Sequence, residues 1–136
     1  MSFKKGVFDF VIEKATIDCL LAQETNLWSI TESGRTTLGK ALSEVTRVLS
    51  ANGQFISISF KQPHFMLPLF SENLYHWNVV DIEEIGSSFH HYLYLMGKNS
   101  VKNILIDKYR LQPVKITGVE KSTNESIEND IMSIDL

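Results

Sequence analysis

Val7, Phe8, Phe10, Val11 and Ile12 form a nearly continuous apolar run broken only by Asp9. Such a run suits a strand buried on both faces of a parallel sheet, and it predicts a first strand over Val7 to Glu13. Thr16 to Ala22 follows as a short helix capped by Thr16, with Ile17, Leu20 and Leu21 on one side. Gln23 to Gly34 then reads as a loop carrying Trp28. The clearest helix comes next. Leu38, Ala41, Leu42, Val45, Val48 and Leu49 fall on one apolar stripe, starting near Arg35 to Thr37 and ending at Asn52-Gly53, which suits a left-handed cap. Phe55 to Phe60 is rich in β-branched and aromatic residues and reads as a second strand, so strand, helix and strand imply a right-handed parallel crossover.

Beyond it, Gln62-Pro63-His64 reads as a loop, and a helix is expected to begin around Pro68. Trp77 to Glu84 and Phe89 to Met96 are two further strands separated by Gly86-Ser87-Ser88, a gap of hairpin size. With no helix between them, they are expected to form an antiparallel pair closing an otherwise parallel sheet. The fold class is therefore α/β.

Composition narrows the possibilities. A chain of 136 residues, 43% hydrophobic, supports one compact core. The net charge is −3 with no Lys/Arg-rich block, which argues against nucleic acid as a partner. The single cysteine, Cys19, cannot form an intrachain disulfide, and there is neither a signal-peptide pattern nor a membrane-length apolar run, so a cytoplasmic setting is expected. From Glu120 onward there are five acidic residues and one lysine, against eleven acidic and twelve basic before it. The division expected is residues 1–99 as a folded unit and 100–136 as an extension with a disordered acidic tail.

A doubly wound sheet binds its ligand at the carboxyl ends of its strands, and its first strand normally leads into a glycine-rich turn. None of the seven glycines here forms a Gly-x-Gly pair. What remains is the segment Phe8 to Leu21, Leu42 to Leu49 with Asn52 to Ser57, Pro63-His64-Phe65, and Gly86 to Met96. Together these resemble the class I S-adenosylmethionine-dependent methyltransferases, nearest to the group containing the elongation-factor-1-alpha lysine methyltransferases. Glu13-Lys14-Ala15-Thr16-Ile17-Asp18 matches that group's acid-Lys-Gly-Thr-Leu-Asp motif, with Ala15 for glycine and Ile17 for leucine.

The resemblance covers residues 3 to 98 and implies strands four to seven of a seven-stranded Rossmann-like sheet, without the glycine-rich cofactor half. Its start would fall inside a domain. It implies S-adenosylmethionine as cofactor, a protein substrate such as elongation factor 1 alpha, catalytic roles for Glu13 and Asp18, and contact of Glu13 and Lys14 with the cofactor's methionine end. Trp28, His64, Phe65, Phe89 and His90 are the candidates to bind substrate. Trp28, Phe65, Phe89 and Tyr92 also read individually as core aromatics, Thr16 as a cap, and Cys19 as a small core residue. His90 and His91 point to opposite faces of a strand, which argues against a shared metal. The alternative is a catalytically inert binding protein, or a splice or incomplete gene product, keeping only the substrate-side surface. In either case an exposed first strand would favour self-association through its edge.

Overall fold

The computed structural model describes residues 1–26, 29–71 and 73–100 and the backbone of 115–117. Trp28 and the acidic tail, with its expected disorder, lie outside the described residues. The chain forms β1 (Phe8–Lys14), α1 (Thr16–Leu20), β2 (Ser29–Thr31), α2 (Glu32–Val48), β3 (Leu49–Ser59) and α3 (Pro63–Phe70). A 3-10 turn at Asn73–Tyr75, β4 (Asn78–Ile85), β5 (His91–Gly97) and β6 (Lys115–Thr117) complete it. Among the described residues no helix is long and apolar enough to cross a membrane.

The main sheet has the order β1-β3-β5-β4. β1 and β3 are parallel, as the crossover requires, with Val11 opposite Phe55 and Glu13 opposite Ser57. β5 runs antiparallel to both its neighbours, so β4 and β5 are the antiparallel pair expected, with the later strand inserted next to β3. β2 and β6 form a separate parallel pair, which returns part of the extension to the body of the molecule.

One face of the sheet carries the core. Phe55, Tyr94, Met96 and Val79 project from it against Met66, Leu67 and Phe70 of α3 and the Tyr75-Trp77 segment. Phe55 stacks on Trp77 with ring centroids 5.3 Å apart, and the Trp77 indole N–H donates to the Phe70 carbonyl at 2.9 Å. That bond satisfies the one polar atom of a buried indole. α2 buries Leu38, Leu42, Val45 and Val48, the stripe expected from the sequence.

Several boundaries differ from the sequence expectation, each for a local reason. α2 begins at Glu32 rather than near Arg35, because Thr31 accepts the Gly34 N–H at 3.1 Å and acts as the cap. Glu24 fixes Thr31 in turn, accepting its N–H at 2.8 Å and its hydroxyl at 2.7 Å, and packs so close to Gly34 that a Cβ there would meet its carboxylate. What reads as loop up to Gly34 is therefore β2 and a helix start. At its other end α2 passes straight into β3 at Leu49, whose backbone is extended at φ −69° and ψ 137°, so Asn52-Gly53 lies inside β3 and forms no left-handed cap. Lys98 does the capping instead, donating to the carbonyls of Thr46 at 2.6 Å and Leu49 at 3.0 Å. α3 starts with Pro63 in its first turn, and Pro68 lies within the helix rather than opening it. β5 begins at His91, leaving Phe89 outside the strand.

Candidate active-site rim

The carboxyl ends of β1 and β3, the end of β4 and the beginning of β5 meet along one rim of the sheet. Its β1 corner is built around the sequence Glu13 to Asp18. Ala15 takes a left-handed conformation, φ 57° and ψ 10°, between the strand and α1. This is the position where the resembling motif has glycine, and the dihedral gives the physical reason for one.

Thr16 is not the cap of α1 but its first residue, and Ala15 in the cap position has no side chain to offer. Glu13 serves instead. Its Oε2 accepts the N–H of Thr16 at 2.8 Å and of Ile17 at 3.3 Å, and its Oε1 accepts the hydroxyl of the fully buried Ser57. A carboxylate there both satisfies orphan donors and complements the positive end of the turn. Asp18 makes the corresponding connection one turn later. Its Oδ1 accepts the hydroxyl of Ser59 at 2.7 Å and its Oδ2 the N–H of Phe60 at 3.3 Å, while Ser59 Oγ accepts the Lys61 N–H at 3.0 Å. Ser57 and Ser59, both fully buried on β3, are the hydrogen-bond partners of Glu13 and Asp18 that sequence reasoning missed. The signal for them is alternation: two serines at i and i+2 on the inward face of an otherwise apolar strand.

The two acids are thus brought together by hydrogen bonds to one strand. Lys14 itself is exposed. Cys19 is exposed too, and Leu20 is more open than Ile17 and Leu21, so the expected core role of Cys19 is corrected. A helix of five residues has room for only a narrow buried face, and Ile17 occupies it.

The aromatic candidates separate into distinct places. Phe89 is 79% exposed and therefore not a core residue, because the turn around Gly86, at φ +100°, carries it out beyond β5. His90 pairs with Glu84 across the same turn, and the His91 ring lies 4.2 Å from that of exposed Phe60. His64 and Phe65 sit in the first turn of α3 with ring centroids 3.9 Å apart, His64 exposed and Phe65 half-buried. Tyr92 packs against the core. The rim therefore gathers the Glu13–Asp18 corner, Phe60 with His91, the His64–Phe65 pair and the Phe89–His90 turn. Among the described residues no group of three His, Cys, Asp or Glu side chains is placed to hold a metal.

For a nucleoside-bearing cofactor the fit is incomplete. The β1 corner offers carboxylates and a lysine suited to a zwitterionic amino-acid end. β1 is, however, the last strand on its side, and the described residues provide no neighbouring strand end or glycine turn for a nucleoside.

No family model matches the chain. It is 35% identical over 104 residues to EEF1A lysine methyltransferase 4 of Mus musculus, covering 76% of this chain and 40% of that protein. To EEF1A lysine methyltransferase 4 of Bos taurus it is 33% identical over 135 residues, covering 98% of this chain and 53% of that one. The chain thus spans about half the length of these relatives or less. A solved S-adenosylmethionine-dependent methyltransferase from Methanosarcina mazei is similar with a TM-score of 0.48 at 12% identity, over 72% of this chain and 62% of the other. By sequence the chain is thus similar, over part of their length, to the EEF1A lysine methyltransferase 4 proteins.

Proposed function

We propose that this chain supplies the acceptor side of an S-adenosylmethionine-dependent protein-lysine methyltransferase acting in the cytoplasm on elongation factor 1 alpha. The observation that carries this reading is the Glu13–Asp18 corner, pinned to β3 within a stretch similar to the EEF1A lysine methyltransferase 4 proteins. An acceptor lysine approaches as an ammonium. Carboxylates at the rim favour its arrival, and exposed aromatic faces such as Phe89 attract a cation further. His64, Phe65 and His90, with Trp28, complete the proposed substrate surface. Glu13 and Asp18 act chiefly by holding the corner in place and setting its negative potential, since the oxygens of both already accept hydrogen bonds. Lys14 and Glu13 are proposed to meet the methionine end of the cofactor.

The second reading is a catalytically inert binding protein. Calorimetric titration separates the two claims. Titrated with elongation factor 1 alpha, the chain is expected to give a saturable heat, weakened by Phe89→Ala; absence of binding would sink the acceptor-side assignment. Titrated with S-adenosylmethionine alone, it is expected to bind weakly, and methyl transfer to the factor by this chain alone would overturn the inert reading.

A further inference from the structure

β3 leaves the sheet in a bend, Phe60-Lys61, whose backbone is fixed at three points by three different elements. The Phe60 N–H donates to Asp18 Oδ2 of α1 at 3.3 Å, and the Lys61 N–H to Ser59 Oγ of β3 at 3.0 Å. The Lys61 carbonyl accepts the hydroxyl of Tyr94 of β5 at 2.5 Å. Ser59 Oγ in turn gives its own hydrogen to Asp18 Oδ1 at 2.7 Å. Tyr94, Lys61, Ser59 and Asp18 thus form one continuous chain of hydrogen bonds, from a core ring packed on Phe70 to the β1 corner.

Packing alone does not require this chain. Ser59 and Tyr94 are fully buried, and a buried hydroxyl costs free energy unless it is paired, so apolar residues in their places would fill the core without that demand. What the chain determines is where one side chain stands. Phe60 is carried to the ring of His91, with centroids 4.2 Å apart and planes tilted by 42°. His91 is held from its own side, its Nδ1 3.2 Å from the Phe89 carbonyl. The pair lies at the carboxyl end of β3, where a sheet with a parallel crossover places its ligands, and its backbone anchor is Asp18, the last residue of the Glu13–Asp18 motif. A ring whose backbone and neighbour are both fixed offers its face at little entropic cost, which is the preorganisation that a binding contact needs.

We infer that Phe60 is a substrate-contact residue, its ring taking the stem and ammonium of a lysine in the protein substrate, and that Tyr94 and Ser59 are the positioning residues that set it against His91. This rests on the acceptor-side reading above and adds to it the residue on β3 that the lysine meets. A lysine fits the place because its stem can lie on a ring while its charge is drawn by the carboxylates of Glu13 and Asp18 at the neighbouring strand end.

Calorimetric titration of the full chain and its variants with elongation factor 1 alpha, together with NMR of the free chains, tests the inference. Phe60→Leu keeps an apolar side chain but loses the aromatic face, and is expected to weaken binding about fivefold, while Phe60→Tyr retains it. Tyr94→Phe keeps the core ring but releases the Lys61 carbonyl. It is expected to move the His91 ring protons towards their positions in the Phe60→Leu chain and to weaken binding, and Ser59→Ala is expected to do the same. The double variant Tyr94→Phe with Phe60→Leu should bind no worse than Phe60→Leu alone, because both changes act on one contact, whereas a merely structural defect would add its own loss. His91 ring protons that neither Tyr94→Phe nor Ser59→Ala moves would overturn the positioning role without any ligand. Binding that Phe89→Ala weakens and Phe60→Leu does not would overturn the contact and leave the acceptor-side reading standing, while no heat from the unaltered chain would sink both.

Discussion

The two edges of the sheet make opposite use of the same geometry. β4 is antiparallel to its neighbour, broken by a register shift, and lined at its far end by Asp81, Glu83 and Glu84. β1 is parallel to its neighbour, regular from Phe10 to Lys14, and apolar on its open face. Charge makes the first edge unattractive to another strand, because pairing would strip water from carboxylates without supplying partners. On the second edge the face that carries Phe10 and Ile12 has a single charge, Lys14 at its end, while Asp9 and Glu13 lie on the other face. The candidate site lies beside the unprotected edge, so whatever covers β1 also approaches Glu13 and Lys14.

The largest expected effect comes from attacking the inner side of β1. Val11→Pro removes an N–H that faces β3 and places a ring against a half-buried position, so it should be strongly destabilising. Urea denaturation should show this loss, and Ile12→Pro should be much less costly because its N–H faces outward. Equal losses at the two positions would break the inward–outward assignment on which the contrast between the edges depends.

Next in size is the corner that fastens β1 to β3. Glu13→Ala removes the acceptor for two backbone donors of α1 and leaves the buried Ser57 hydroxyl without its partner. An uncompensated buried hydroxyl together with a lost cap should cost about 2 kcal/mol. Ser57→Ala in the Glu13→Ala background should recover part of it, and a double-mutant cycle measures the coupling. Purely additive losses would show that the pair does not act as one joint.

Much of this architecture could be read from the sequence, and the exceptions share a cause. The β3 and β5 strands and the stripe of α2 are written in local sequence pattern, which burial then respects; β1 forms where its apolar run predicts, but it is not buried on both faces, since Phe10 and Ile12 are exposed. The cap of α1 could not be read this way, because Glu13 lies two residues before the cap position and acts only once Ala15 has turned left-handed. The end of α2 was hidden by Asn52-Gly53, a good terminator overruled by Lys98 arriving from the far end of β5. In the site, Glu13 and Asp18 were legible as a motif, but Ser57 and Ser59 needed the β1–β3 register to become their partners. Phe89 looked like core from its hydrophobicity alone, whereas the Gly86 turn decides its exposure.

Ala15→Gly should act in the opposite direction. Its left-handed conformation costs a residue with a Cβ on the order of 1 kcal/mol, which glycine avoids, although glycine's freer unfolded chain returns some of that gain. A net stabilisation of roughly 0.5 kcal/mol is expected in urea denaturation. A loss would mean that the corner is held by Glu13 and Asp18 so firmly that the dihedral carries no strain, sharpening the contrast between a rigid inner side of β1 and its open outer side.

The smallest effect concerns the segment that leads into β1. Arg47 on α2 donates to the carbonyls of Phe3 at 2.8 Å and Met1 at 3.1 Å and pairs with Glu44, which also holds the Met1 ammonium at 2.8 Å. Phe3 is thereby kept edge-on to Phe8 with centroids 5.0 Å apart. The hydrogen bond from Arg47, helped by the one from the terminal ammonium, lowers the Glu44 pKa from 4.5 to about 2. A carboxylate with a depressed folded value binds its proton less readily than in the unfolded chain. Its contribution is therefore fully present above pH 4.5 and is lost as pH falls through that range towards 2. These groups are at least partly open to solvent, so the effect should be small and should weaken further in salt. Protection of the amides of residues 2–6, measured as exchange relative to the intrinsic rate at each pH from pH 5 to pH 2, should fall only in the lower part of that window, and Glu44→Gln should remove that fall. If exchange there does not respond to Glu44→Gln, the start of β1 is held by the Phe3–Phe8 contact and by the hydrogen bond from the Gly6 N–H to the Arg47 carbonyl at 3.0 Å, and not by the charge cluster.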